Sequence, residues 1–133
     1  PSFWILDAPT RQLCTVSRSI TNTPIQALVT LNDPVFFEAA RGFALRIIRD
    51  APAGTRGRVE EAFLVALSRP PSEQESQAFA SLHSALVKRY GADLPAAASV
   101  NAGTSEIPAS AELAAWTVLA STLLNLDEAI TRE

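Results

Sequence analysis

The chain has 133 residues, 47% of them apolar and 19% charged, which suits one globular domain with a buried core and excludes a disordered polar segment. Lys and Arg number 11 against 14 Asp and Glu, for a net charge of −3, and this argues against a nucleic-acid binder. One cysteine, Cys14, and one histidine, His83, exclude an internal disulfide, a structural zinc site and a Cys-x-x-Cys-His haem attachment.

Residues 1–22 read as an irregular arm. An apolar head (Phe3, Trp4, Ile5, Leu6) and the turn-forming Asp7-Ala8-Pro9 precede a polar stretch that carries Arg11, Cys14 and Arg18. The head has no basic flank and is too short to span a bilayer, as is every later apolar stretch. With no Met at position 1, the start reads as a boundary inside a longer chain. Cys14 suits a small buried hydrophobe.

Thr23, Pro24 and Gln26 spell a capping box with proline at the first helical position, so a short helix starts at 24. Asp33-Pro34 restarts the chain as a second helix running to about residue 49. Gly42 sits in its middle, a costly place that suggests close packing. A third helix is expected over 56–68, with Val59, Ala62, Phe63, Ala66 and Leu67 in one stripe. Ser72 and Glu75 form another capping box and open a fourth helix. It carries Phe79, Leu82, Leu86 and Tyr90 on one face, His83 at the edge of that face, and Gly91 as a left-handed C-cap. Residues 92–109, rich in Ala, Ser, Gly and Pro, read as a long flexible loop. Ser110 caps a last helix that runs to about 130. It is apolar nearly all round and therefore central. The fold class is all-α: an irregular bundle of about five helices in a single domain, 1–133, with the arm packed across it.

Residues 21–34 read Thr-Asn-Thr-Pro-Ile-Gln-Ala-Leu-Val-Thr-Leu-Asn-Asp-Pro. Together with Asp7-Ala8-Pro9, the junction Ser68-Arg69-Pro70-Pro71-Ser72-Glu73-Gln74-Glu75, and the closing Ala114-Ala115-Trp116 and Leu123-Leu124-Asn125-Leu126-Asp127-Glu128, this resembles a known family. It is the planctomycete-type C-terminal domain of unknown function found behind cytochrome-c-like regions in large exported proteins. The resemblance covers nearly the whole chain outside the stretch 92–109. It implies an exported or periplasmic parent whose upstream domains can carry haem, and it assigns no activity.

No catalytic, cofactor or metal site stands out. Arg18, Asn22, Thr23, Gln26, Asn32, Asp33 and Asp127 are the polar candidates. Thr23 and Gln26 serve as caps as readily as they would line a pocket, and Asn32 and Asp33 offer too few oxygens for calcium. Asp127, on the apolar side of the last helix, calls for an ion pair with Arg11 or Arg18. His83 reads as a boundary residue making one hydrogen bond. The role expected is a non-catalytic module docking on the upstream domains of its parent. The alternative is a part that lends site residues to an enzyme acting on exported polysaccharide or in haem-linked redox chemistry. Self-association through the same apolar face is a third reading. A docking module should show one broad apolar face. A site-bearing one should gather Arg18, Asn22 and an acid in a cleft.

Overall fold

The computed structural model describes residues 23–103 and 110–130. Among these the chain is all-α, with no strand. The helices are α1 Pro24–Asn32, α2 Pro34–Asp50, α3 Thr55–Leu67, α4 Glu73–Ala92, α5 Leu94–Val100, α6 Ala111–Leu124 and α7 Asp127–Ile130. That is seven elements where the sequence predicts about five. The two extra ones are the short α5 and α7. The arm, 1–22, lies outside the described residues.

The helix starts follow from local chemistry. Thr23 and Gln26 form the reciprocal capping box: the Thr23 amide donates to Gln26 Oε1 at 2.7 Å and the Gln26 amide to Thr23 Oγ1 at 3.3 Å. Asp33 ends α1 and begins α2. Its backbone is extended, as a residue before proline requires, and its carboxylate accepts from the Val35 amide at 2.9 Å. The Ser72–Glu75 box opens α4, and Ser110 caps α6. The αL residue after α3 is Ser68 at φ 59°.

Three expectations are overturned. The stretch 92–109 is not all loop, because Leu94–Val100 is helical. Asp93 Oδ1 caps it by accepting from the Ala96 amide at 3.0 Å, and the alanines that follow are the strongest helix formers. Residues 104–109 lie outside the described set. Gly91 does not terminate α4, which runs through it to Ala92, and its φ is not positive. The last helix does not reach 130 unbroken. It stops at Leu124, turns at Asn125, and resumes as α7.

α6 is central, as its all-round apolar sequence predicts. It packs chiefly against α2 and α4 and also meets α3, α5 and α7. Leu113, Trp116, Leu119 and Leu123 are buried along it, as are Ile47 of α2, Val59 and Phe63 of α3, and Leu86 and Tyr90 of α4. On α4 the inward stripe is Phe79, His83, Leu86 and Tyr90. Leu82 sits on the rim at 37% exposure while His83 is 8% exposed, so the histidine and not the leucine occupies the inner face.

Gly42 does not mark a close approach: it is exposed, and a Cβ there would meet nothing within 4 Å. Gly42→Ala is therefore expected to stabilise the domain by about 1 kcal/mol, by raising helix propensity and restricting the unfolded chain. A urea unfolding curve would show the midpoint rising at constant slope. A fall would mean that the position is packed against something.

Candidate functional site

Of the polar residues singled out from sequence, five lie among the described residues: Thr23, Gln26, Asn32 and Asp33 at the ends of α1, and Asp127 at the start of α7. Arg18 and Asn22 lie outside the described residues, so the cleft they were expected to build is not among what can be described. Thr23 and Gln26 are the capping pair of α1, and Gln26 is buried beneath it. Asn32 Nδ2 donates back to the Leu28 carbonyl at 2.7 Å. Asn32 and Asp33 do come together, with Leu28 and Val29, around a recess of about 520 Å³ that is open to solvent. Both side chains serve the helix junction there. Asp127 opens α7 and is exposed, which corrects its placement on the buried side. Its expected partners Arg11 and Arg18 lie outside the described residues. Among the described residues an ion pair between Glu128 and Arg69 ties the closing segment to the body.

That pair belongs to a clasp of three charges. Arg69 Nη2 lies 2.8 Å from Glu75 Oε1 and 2.7 Å from Glu128 Oε2, and the guanidinium rests 5.5 Å above the Phe63 ring. The clasp joins the α3–α4 junction to α7. Hydrogen bonds from Arg69, then from the Ser72 amide, hold the Glu75 carboxyl down at about 2, and Arg69 lowers Glu128 as well. Folded-state values below the unfolded value of 4.5 mean that this contribution to stability is present above about pH 4.5. It is lost as pH falls through 2. Acid titration of unfolding free energy should therefore show a steeper loss in the parent chain than in Arg69→Leu. Equal slopes would show that the clasp does not discriminate folded from unfolded chain.

A second polar cluster gathers around one oxygen. Arg58 Nη1 donates to Glu112 Oε1 at 3.0 Å and Trp116 Nε1 donates to the same atom at 2.9 Å. His83 Nε2 is 3.3 Å from it, without the alignment of a hydrogen bond, and the imidazole packs on the Trp116 ring with centroids 5.0 Å apart. The expectation that His83 is a boundary residue with one hydrogen bond is thus corrected. It is an inward-facing ring whose buried Nε2 makes none. Trp116 is 2% exposed, so the cluster offers no open aromatic face to a ligand and reads as a fastening of α3 and α4 to α6.

The surface feature that sequence reasoning missed is apolar. α1 carries no charged residue, and Ile25, Leu28 and Leu31 recur at every third position along it. They are 60%, 62% and 45% exposed, and Val35 in the first turn of α2 is 70% exposed. The other exposed large hydrophobics, Leu64, Leu82 and Leu94, are scattered singly on three different helices. The absence of charge over residues 24–32 was the signal available.

On the inner side of α1 lies an apolar groove of about 540 Å³. Thr30, Phe36, Phe43, Val65, Leu124 and Ile130 line it, with alanines between them. Thr30, the one polar residue of the wall among the described residues, is already engaged: the hydroxyl contacts the Gln26 and Ala27 carbonyls and Asn125 Oδ1. Among the described residues no group of three or more His, Cys, Asp or Glu could hold a metal, and no helix is long and apolar enough to cross a membrane.

A family model described as PSD1, protein of unknown function (DUF1553), matches residues 1–83. No curated protein and no solved structure matches the chain.

Proposed function

This chain belongs to the DUF1553 family of proteins of unknown function, and we propose that it is a non-catalytic helical module that docks on other domains of a longer parent chain. The observation that carries the reading is the uncharged face of Ile25, Leu28, Leu31 and Val35. Single exposed hydrophobics are ordinary, but four within eleven residues, on one helix and the first turn of the next, mark a surface that meets a partner. The polar groups point the same way. Those that sit together are engaged in caps, the Arg69 clasp and the Glu112 cluster, and these are structural tasks. An exported parent of the planctomycete type, with upstream domains that can carry haem, is part of the proposal. It rests on the resemblance of residues 21–34 and the junction around Ser68.

The test is a calorimetric titration of this chain with the separately produced remainder of its parent. Binding with a negative heat-capacity change is expected. Leu28→Glu with Val35→Glu should weaken it about tenfold or more, while leaving the unfolding midpoint in place, because both positions are exposed. Tight binding that ignores both substitutions would remove α1 as the docking face. No binding at all would remove the docking reading.

A further inference from the structure

We infer that α7 is a hinged strap along one wall of the groove, and that Arg69 is the catch that holds it closed. α7 is the single turn Asp127–Ile130, and none of its residues is buried. Its Ala129 and Ile130 amides both donate to the Leu126 carbonyl, at 2.9 and 3.3 Å. One helical turn is too short to hold itself together in water, so it keeps its place through what its side chains grip.

The two ends of this segment are held differently. The near end is built into the fold. The Asn125 amide donates to the Ser121 and Thr122 carbonyls, each at 3.2 Å, and Asn125 Oδ1 accepts from the Thr30 hydroxyl of α1. Leu126 packs, partly buried, against the core. The far end is held by charge at the surface. Arg69 is set in place independently of it: Nη1 donates to the Pro70 carbonyl at 3.1 Å and to Glu75 Oε2 at 3.0 Å, and Nη2 to Glu75 Oε1 at 2.8 Å. The guanidinium also lies over the Phe63 ring. Its other edge, Nε with Nη2, meets the two oxygens of Glu128 at 2.8 and 2.7 Å. A preformed fork of this kind takes a carboxylate with little further loss of freedom. Yet the two side chains are 35% and 48% exposed, so water and salt compete for the pair. A near end anchored by packing and a far end on an exposed ion pair make a hinge and a catch.

α7 supplies Ala129 and Ile130 to the lining of the groove. Release of the catch lifts these two residues out of the wall, while Thr30, Phe36, Phe43 and Val65 stay on α1, α2 and α3. The groove opens on that side and the core is left as it was. This inference does not rest on the docking role of the outer α1 face, and the two fail independently.

Amide exchange resolved residue by residue tests it on the whole chain. The Ala129 and Ile130 amides should be protected in the unsubstituted chain and should exchange about fivefold faster in Glu128→Ala. The Leu119 and Leu123 amides, on the buried length of α6, should keep their rates, because Arg69 stays paired with Glu75. Raising salt from about 0.1 M to about 1 M should speed the same two α7 amides in the unsubstituted chain and not in Glu128→Ala. That arm needs no substitution to fold. Asp127 is engaged as well, so Asp127→Asn measures its share. Rates at Ala129 and Ile130 that ignore both Glu128→Ala and salt would overturn the inference. So would free-peptide rates in the unsubstituted chain, or an equal rise at Leu119 and Leu123, which would make α7 part of the core's own unfolding. Release by Asp127→Asn without release by Glu128→Ala would take the catch away from Arg69 and overturn it too.

Discussion

Replacing Phe63 with alanine is expected to remove about 3–5 kcal/mol of stability. The ring is fully buried on α3 and meets Phe79 edge-on, with centroids 5.1 Å apart and planes at 78°. The Arg69 guanidinium lies over the ring, 5.5 Å from its centroid. Truncation forfeits the transfer energy of the ring and the edge-to-face contact. It leaves a void among helices that cannot close on it, since α3 is fixed to α6 through Arg58 and to α7 through Arg69. A domain of this size holds roughly 5–15 kcal/mol in all. The thermal midpoint should fall by about 10–20 °C, as circular dichroism would read it. Phe36→Ala provides the contrast. That ring is only half-buried at the groove, and its loss should cost less than half as much. Equal costs for the two would mean that the groove is as tightly packed as the core.

What could be read from the sequence divides by range. Four helix starts rest on atoms within three residues of one another: Thr23 with Gln26, Asp33 with Val35, Ser72 with Glu75, Ser110 with Leu113. Such chemistry is visible in the order of residues alone. The breaks were harder. Apolar side chains continue through Leu123, Leu124 and Leu126, so nothing in their spacing marks the turn at Asn125 that divides α6 from α7. Leu94–Val100 was lost for the opposite reason. Between Leu94 and Val100 it has no large apolar residue, yet small ones let it sit close, with Ala97 2% exposed. Arg41 also holds its C-terminal end by donating to the Val100 carbonyl at 3.1 Å. The candidate site was the least legible part. Arg58 meets Glu112, and Arg69 meets Glu128, across more than fifty residues of chain, and no local pattern announces such a pairing. The apolar stripe of α1 was in plain view. Its exposure is a property of the packed molecule, because the same three leucine and isoleucine positions would suit an inward face equally well.

Glu112→Ala tests the polar fastening and should cost about 1–3 kcal/mol. One carboxylate oxygen receives Arg58 at 3.0 Å and Trp116 at 2.9 Å. Removing it strands an indole N–H in a residue that is 2% exposed, beside a guanidinium whose Nε is already buried without a hydrogen bond. The glutamate side chain is 40% exposed, so water can reach part of the gap, and the cost stays below that of a fully buried pair. Glu112→Gln keeps an acceptor oxygen for the indole and should lose less than the alanine variant. The decisive measurement is a double-mutant cycle with Trp116→Phe, which keeps most of the ring volume but deletes the donor. A coupling energy of about 0.5 kcal/mol or more between the two positions is expected. Additivity would mean that the Trp116 bond adds nothing, leaving Arg58 as the partner that holds Glu112. The same cycle run with Arg58→Met then separates a fastening of α3 to α6 from one internal to α6. Only the fastening to α3 ties together two of the elements that wall the groove, α3 with Val65 and α6 with Leu124.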